Sequence, residues 1–194
     1  MAVTKTVPPE AVNEAIRCGI TLLGENRVQE YLSKRDLYLP QSEVHFIGHL
    51  QTNKVKYICD NVDMIQSVDS LRLAEEINRL CERNGRVMDV LIEVNIGGEE
   101  SKSGVSPEML EELLYKASQL PNIRVKGLMC IPPAGGGEAF FLKMQQIHLD
   151  ISAKKSDNIS MSILSMGMSG DYKEAVKYGS TLVRIGTKLF GARI

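Results

Sequence analysis

The sequence predicts an α/β fold, a TIM-type (β/α)8 barrel formed by one domain over residues 1–194. Three observations predict it. Short apolar or β-branched runs alternate with amphipathic segments from end to end, and about eight βα units fit without a long structureless loop. Several runs, notably Val90-Leu-Ile-Glu-Val94, are apolar on both faces, as strands of a helix-covered parallel sheet are. The position where an open Rossmann sheet would carry its glycine fingerprint reads Lys5-Thr-Val-Pro-Pro9 instead.

Strands are expected at 2–4, 21–23, 44–47, 62–68, 87–96, 125–131, 161–166 and 181–185. Pro8-Pro9-Glu10 opens the first helix, with Val12, Ala15 and Ile16 on one face and Gly19 as its stop. Asp69 is the expected N-cap of a helix that spaces Leu73, Ile77, Leu80 and Cys81 at helical period. Ser106-Pro107-Glu108 starts another, followed by Leu110, Leu113, Leu114 and Ala117. Residues 138–153 and 171–178 supply two more. Barrels usually need about 250 residues, so either this one is minimal or the chain begins late. Its first strand is clipped, with only Met1 to Thr4 before Lys5.

Composition narrows the function classes. Lys+Arg (23) and Asp+Glu (24) nearly balance at net charge −1, which leaves no electrostatic footprint for nucleic acid. No run reaches membrane-spanning length, and Met1-Ala-Val-Thr-Lys5 has no signal-peptide pattern. Cys18, Cys59, Cys81 and Cys130 lack a C-x-x-C and read as buried small hydrophobes in a reducing compartment. His45, His49 and His148 have no metal-ligand spacing. A cytoplasmic, monomeric protein without a metal, membrane or nucleic-acid partner is expected.

The last thirty or so residues are the most specific local signal. Two strands end in turns of small residues, Gly167, Ser169 and Gly170 in one and Gly186 and Thr187 in the other. Small residues let backbone N–H groups approach an anion, and the loops after barrel strands 7 and 8 are the usual phosphate site. Two ordinary strand-to-helix turns remain the plain alternative. Lys5 stands at the C-terminal end of strand 1, on the face where barrel active sites are built, and is a candidate Schiff-base amine. A solvated lysine near a terminus is the commoner case. Arg184, two residues before Gly186, points to the same side as that glycine; a structural ion pair would explain it equally well. Together, a Schiff-base lysine, a phosphate cup and an arginine between them describe pyridoxal phosphate.

The same residues lie in longer motifs. Ala2-Val-Thr-Lys-Thr6, Gly24-Glu-Asn-Arg-Val-Gln-Glu30, His45-Phe-Ile-Gly-His-Leu-Gln-Thr-Asn-Lys54, Val94-Asn-Ile-Gly-Gly-Glu-Glu-Ser-Lys-Ser-Gly104, Gly127-Leu-Met-Cys-Ile-Pro-Pro133, Leu164-Ser-Met-Gly-Met-Ser-Gly-Asp171 and Val183-Arg-Ile-Gly-Thr-Lys-Leu-Phe-Gly-Ala-Arg193 resemble the YggS/PROSC family of pyridoxal phosphate homeostasis proteins. The resemblance covers essentially the whole chain in order. It implies the barrel of the alanine racemase N-terminal domain, here with the N-terminal helix and part of strand 1 missing. It also implies pyridoxal 5'-phosphate held as a Schiff base on Lys5, its phosphate on Ser169, Gly186 and Thr187 and its pyridine nitrogen facing Arg184. Asn26, Ser165 and Met166 match motif positions near the cofactor.

A carrier rather than an enzyme is expected. Chemistry on this cofactor needs an electron sink, proton-transfer groups and exclusion of water. An arginine keeps its proton and opposes protonation of the pyridine nitrogen, which weakens the sink. Past Gly191 the sequence offers no second, β-rich domain to close the site. The expected role is buffering or delivery of the cofactor, with pyridoxal-phosphate-dependent apoenzymes as recipients and no catalytic residue assigned. The rivals are an amino-acid racemase without its partner domain, a Schiff-base aldolase acting on a phosphorylated substrate, and a barrel for another phosphate metabolite. Lys102, in the Glu99–Gly104 loop, is a lesser candidate at the mouth.

Overall fold

The computed structural model describes residues 1–99, 101–133, 135, 137–154 and 158–191. Eight parallel strands pair each with the next: β1 (Ala2–Val3), β2 (Leu22–Glu25), β3 (Glu43–Phe46), β4 (Met64–Val68), β5 (Met88–Val94), β6 (Ile123–Cys130), β7 (Ile159–Met168) and β8 (Leu182–Arg184). The barrel closes. A parallel bridge joins Ala2 to Ile185, Val3 N–H donates to the Ile185 carbonyl at 2.8 Å, and Ile185 N–H donates to the Met1 carbonyl at 3.0 Å. The clipped first strand therefore still completes the sheet and leaves no open edge at the seam.

The helices are α1 (Pro9–Arg17), α2 (Val28–Lys34), α3 (Val55–Ile58), α4 (Leu71–Arg83), α5 (Leu110–Ser118), α6 (Gly137–Ser152), α7 (Tyr172–Lys177) and α8 (Thr187–Phe190). They form the outer layer. α4 buries Leu73, Ala74, Ile77, Leu80 and Cys81 and ends near Gly85; α1 buries Val12 and Ile16. Most of the core lies between strands and helices, and a separate small cluster of Met64, Leu91, Met129 and Ile163 fills the interior. Gly127, at φ +152°, sits where β6 shifts register against β7. A Cβ there would collide with the Ile163 backbone, so only glycine admits this pairing.

Four local expectations are corrected. Ser70, not Asp69, is the N-cap of α4; Asp69 instead accepts from Ser70 Oγ at 3.1 Å and faces His49 at 3.4 Å. β7 runs on through Gly167 to Met168, so the turn that follows is Ser169-Gly170 alone. Cys18 is exposed, whereas Cys59, Cys81 and Cys130 are buried as expected. α2 and α3 are absent from the sequence-based assignment because each is only two turns or less and too short to establish a period.

Candidate functional site

Lys5 sits on a tight turn in which Val7 N–H donates to the Thr4 carbonyl at 3.0 Å. Thr6 adopts φ +64°, a strained conformation for a β-branched residue. A buried polar cluster pins the turn from behind. Glu25, fully buried at the end of β2, accepts from Thr4 Oγ1 and Tyr38 OH, both at 2.6 Å, and pairs with Lys34 Nζ at 3.3 Å. Lys34, at the end of α2, also donates to the Thr4 carbonyl at 3.0 Å and to Glu30 Oε1 at 2.8 Å. Glu30 in turn accepts the N–H of Thr6. Burial opposes ionisation of Glu30, but the bonds from Lys34 and Thr6 outweigh it and hold its carboxyl below the usual range. Thr4 faces this cluster in the helix layer, and half-buried Lys5 follows it on the turn at the C-terminal end of β1.

Across the β8–β1 seam lies the second half. Ser169 Oγ accepts from the backbone N–H groups of Gly186 (3.2 Å) and Lys188 (3.4 Å). Two N–H donors thus converge on one oxygen, the arrangement a phosphate oxygen takes. Arg184 is buried just below, donating from Nη1 to Ser165 Oγ at 2.7 Å and from Nη2 to the Cys130 carbonyl at 2.8 Å. Both acceptors are neutral. Among the described residues no carboxylate forms an ion pair with Arg184, so the structural ion pair is not what holds it. Burial lowers its pKa, yet a guanidinium keeps its charge. A buried cation without a paired anion is costly, which makes Arg184 a candidate ligand contact. The nearby acid is Glu93 on β5, whose Oε1 accepts from Ser103 at 2.9 Å and whose buried Oε2 has no hydrogen-bond partner among the described residues. Burial is the main force pushing the Glu93 carboxyl above its ordinary range, and Asp69 adds to it.

Lys5, Gly186 and Thr187 line one cavity of about 730 Å³ that continues along α1 past Ala11 and Ala15. Asn26 lines a neighbouring cleft of about 520 Å³ with Arg27, His49 and Lys54. Its loop is fixed by Gly48, where any Cβ would strike the Asn26 carbonyl. Ser165 is fully buried beneath Arg184, and Met166 is fully buried in the strand–helix core, lining neither cavity. Lys102 pairs with Glu99 at 2.6 Å, in a loop held by Asn95 and by Val105 bridging to Val94. Sequence reasoning missed Glu25, Glu30 and Lys34, which hold the Lys5 turn, and also His45 and Gln66 within the barrel. The signal for Glu25 and Glu30 was a charge inside the Gly24–Glu30 motif, and for Lys34 only its i,i+4 spacing from Glu30; His45 and Gln66 carried none beyond inward parity.

Comparison with known proteins agrees with the fold. The family model for the alanine racemase N-terminal domain matches residues 1–194. A pyridoxal phosphate homeostasis protein of Aquifex aeolicus is 47% identical over 201 residues, covering 100% of this chain and 86% of that protein. One from Pseudomonas aeruginosa is 40% identical, covering 100% and 84%. The structure of PipY from Synechococcus elongatus with PLP bound superposes at TM-score 0.91 and 35% identity, over 98% of this chain and 91% of PipY. No helix among the described residues is long and apolar enough to cross a membrane. With motifs, barrel and relatives in agreement along its whole length, the chain belongs to the family of pyridoxal phosphate homeostasis proteins, built on the alanine racemase N-terminal domain.

Proposed function

We propose that this protein binds pyridoxal 5'-phosphate and serves its homeostasis as a carrier, taking the cofactor up and handing it on to apoenzymes, without a catalytic cycle of its own. The observation that carries this reading is the single cavity shared by Lys5 and the Gly186–Thr187 turn across the β8–β1 seam. The donor set fits the group. Ser169 and the N–H groups of Gly186 and Lys188 suit a phosphate, Arg184 supplies a fixed donor for a ring nitrogen, and Lys5 supplies an amine. When bound, the cofactor supplies an aldehyde, with which Lys5 Nζ condenses with release of one water. Arg184 holds its protons and so favours an unprotonated ring nitrogen, a poor electron sink. The homologues are named for homeostasis rather than for a reaction, which supports the carrier reading. We place the protein in the cytoplasm as a monomer.

Visible absorbance of the full chain with added pyridoxal 5'-phosphate tests the assignment. Wild type should turn yellow with a band that Lys5→Ala loses, while Lys5→Ala keeps the wild-type circular dichroism. An identical band in Lys5→Ala would place the cofactor elsewhere. Steady production of D-alanine from L-alanine would defeat the carrier.

A further inference from the structure

Inside the barrel, five side chains form one unbroken line of hydrogen bonds from the mouth to the opposite end. Arg184 Nη1 meets Ser165 Oγ at 2.7 Å, and Ser165 Oγ meets Gln66 Oε1 at 2.8 Å, across the interior from β7 to β4. Gln66 Nε2 meets His45 Nδ1 at 2.8 Å, and His45 Nε2 meets Glu43 Oε1 at 2.9 Å, at the start of β3. Arg184, Ser165, Gln66 and His45 are all buried, and Glu43 opens to solvent.

The donor inventory fixes the direction of every bond. Arginine only donates, so the Ser165 oxygen accepts from it; at the other end the Glu43 carboxylate only accepts, so neutral His45 carries its hydrogen on Nε2, and the Ser165 hydroxyl hydrogen completes the line to Gln66 Oε1. That sets the amide orientation, and Gln66 Nε2 must donate to His45 Nδ1. Nδ1 therefore carries no hydrogen, and the neutral ring donates from Nε2 to the Glu43 carboxylate. The two ends of the line, an arginine that only donates and a carboxylate that only accepts, thus agree on one tautomer of His45 and one orientation of Gln66.

Charging His45 would put a hydrogen on Nδ1 against the Gln66 amino group, donor against donor. The amide would have to turn over, its amino group would face Ser165, and the Ser165 hydroxyl would lose its acceptor beside Arg184. Burial is the main force keeping His45 neutral. Glu43 and Asp63 favour its charged form, the Met1 amine opposes it, and Gln66 is the neutral group facing it from β4.

We infer that His45 is a positioning residue for the ligand-facing guanidinium of Arg184, acting through Gln66 and Ser165, so that binding of a phosphorylated pyridine ring at the mouth and the neutral state of His45 favour one another. This rests on the site reading above for the ligand, though not for the hydrogen-bond line. Linkage makes the coupling reciprocal: ring affinity falls about tenfold as His45 charges, the scale of one buried hydrogen bond.

The test uses 15N NMR of the histidine rings in the full chain, with pyridoxine 5'-phosphate as probe, since it carries ring and phosphate but no aldehyde. The expected result is an Nε2–H tautomer for His45 and a titration that moves to lower pH when the probe binds. In Ser165→Ala, which cuts the line, the probe should leave the His45 titration where it was. His45→Gln can accept from Gln66 and donate to Glu43 without titrating, and should remove this pH dependence from probe binding. An Nδ1–H tautomer, or an equal probe-induced shift in Ser165→Ala, overturns the proposal. Absence of probe binding to wild type would sink the site reading, and the line would then be judged without ligand. A His45 titration that moves to higher pH in Ser165→Ala, where nothing pins the Gln66 amide, would support it, and a titration that stays in place would reject it.

Discussion

On the β1 side of the site, Lys5 stands on a three-residue step tied down from outside the barrel by charges: Glu25, Glu30 and Lys34 make ion pairs and accept or donate to the turn itself. On the β7–β8 side, Arg184 is held from inside by neutral partners, Ser165 and the Cys130 carbonyl, with no ion pair among the described residues. β1 has two residues, whereas β7 has ten. A two-residue strand fixes the direction of its last side chain poorly by pairing alone, so the Lys5 turn needs an external clamp. On the other side β8, which carries Arg184, has only three residues, and the ten-residue β7 beside it braces the guanidinium through Ser165. The difference separates a half organised for position from a half organised for affinity.

The contrast is broken most forcefully at the clamp. Lys34→Met removes the cation from a carboxylate that is fully buried, and such losses cost about 3–5 kcal/mol. Urea denaturation should show a drop of about 3 kcal/mol. The double variant Lys34→Met with Glu25→Gln should recover part of it, since no charge is then left buried. Equal stability of the single and double variants would mean that Lys34 acts by packing alone.

How far each half was legible follows from the same contrast. The turn proposed for the phosphate could be read because Gly186 and Thr187 follow a strand directly, and the parity rule alone puts Arg184 beside them. Lys5 could be read as a position but not as a geometry. Its clamp comes from Glu25 and Lys34, residues 20 and 29 positions later in the chain (25 − 5 and 34 − 5), and α2 was too short for its buried face to show in the pattern. The first strand could be read only as clipped, because the sequence shows its length and not its pairing. The backbone bonds of Met1 and Val3 to Ile185 lie outside any side-chain pattern. Met166 was expected near the cofactor because a motif records neighbours in sequence, and alternation sends it to the core while Ser165 faces in.

Glu93 sharpens the other half. Burial pushes its folded carboxyl above the ordinary range, so ionisation costs stability: the penalty is absent below the ordinary carboxylate pKa, grows between that value and the raised folded one, and is complete above it. Glu93→Gln should therefore melt at a higher temperature than wild type at neutral pH. The gain should shrink toward zero near pH 4, where both forms are uncharged. A gain that is the same at every pH would trace it to packing and not to the charge.

The smallest expected effect is at the strained step itself. Thr6 holds φ +64° although a β-branched residue disfavours it, and its N–H is committed to Glu30. Thr6→Gly removes the strain, worth about 1–3 kcal/mol, but adds unfolded-state entropy of about 1 kcal/mol, so the two nearly offset. Thermal melting should move by the equivalent of less than about 2 kcal/mol, upward or not at all. The rate at which added pyridoxal 5'-phosphate develops its visible band should change more than stability does. A glycine at this step lets the Lys5 amine sample orientations that Thr6 forbids, whereas the Ser169–Gly186 contact on the other side of the seam is untouched. If the variant kept the wild-type rate and lost several kcal/mol of stability, the left-handed threonine would be a structural necessity of the seam and not a device for aiming Lys5.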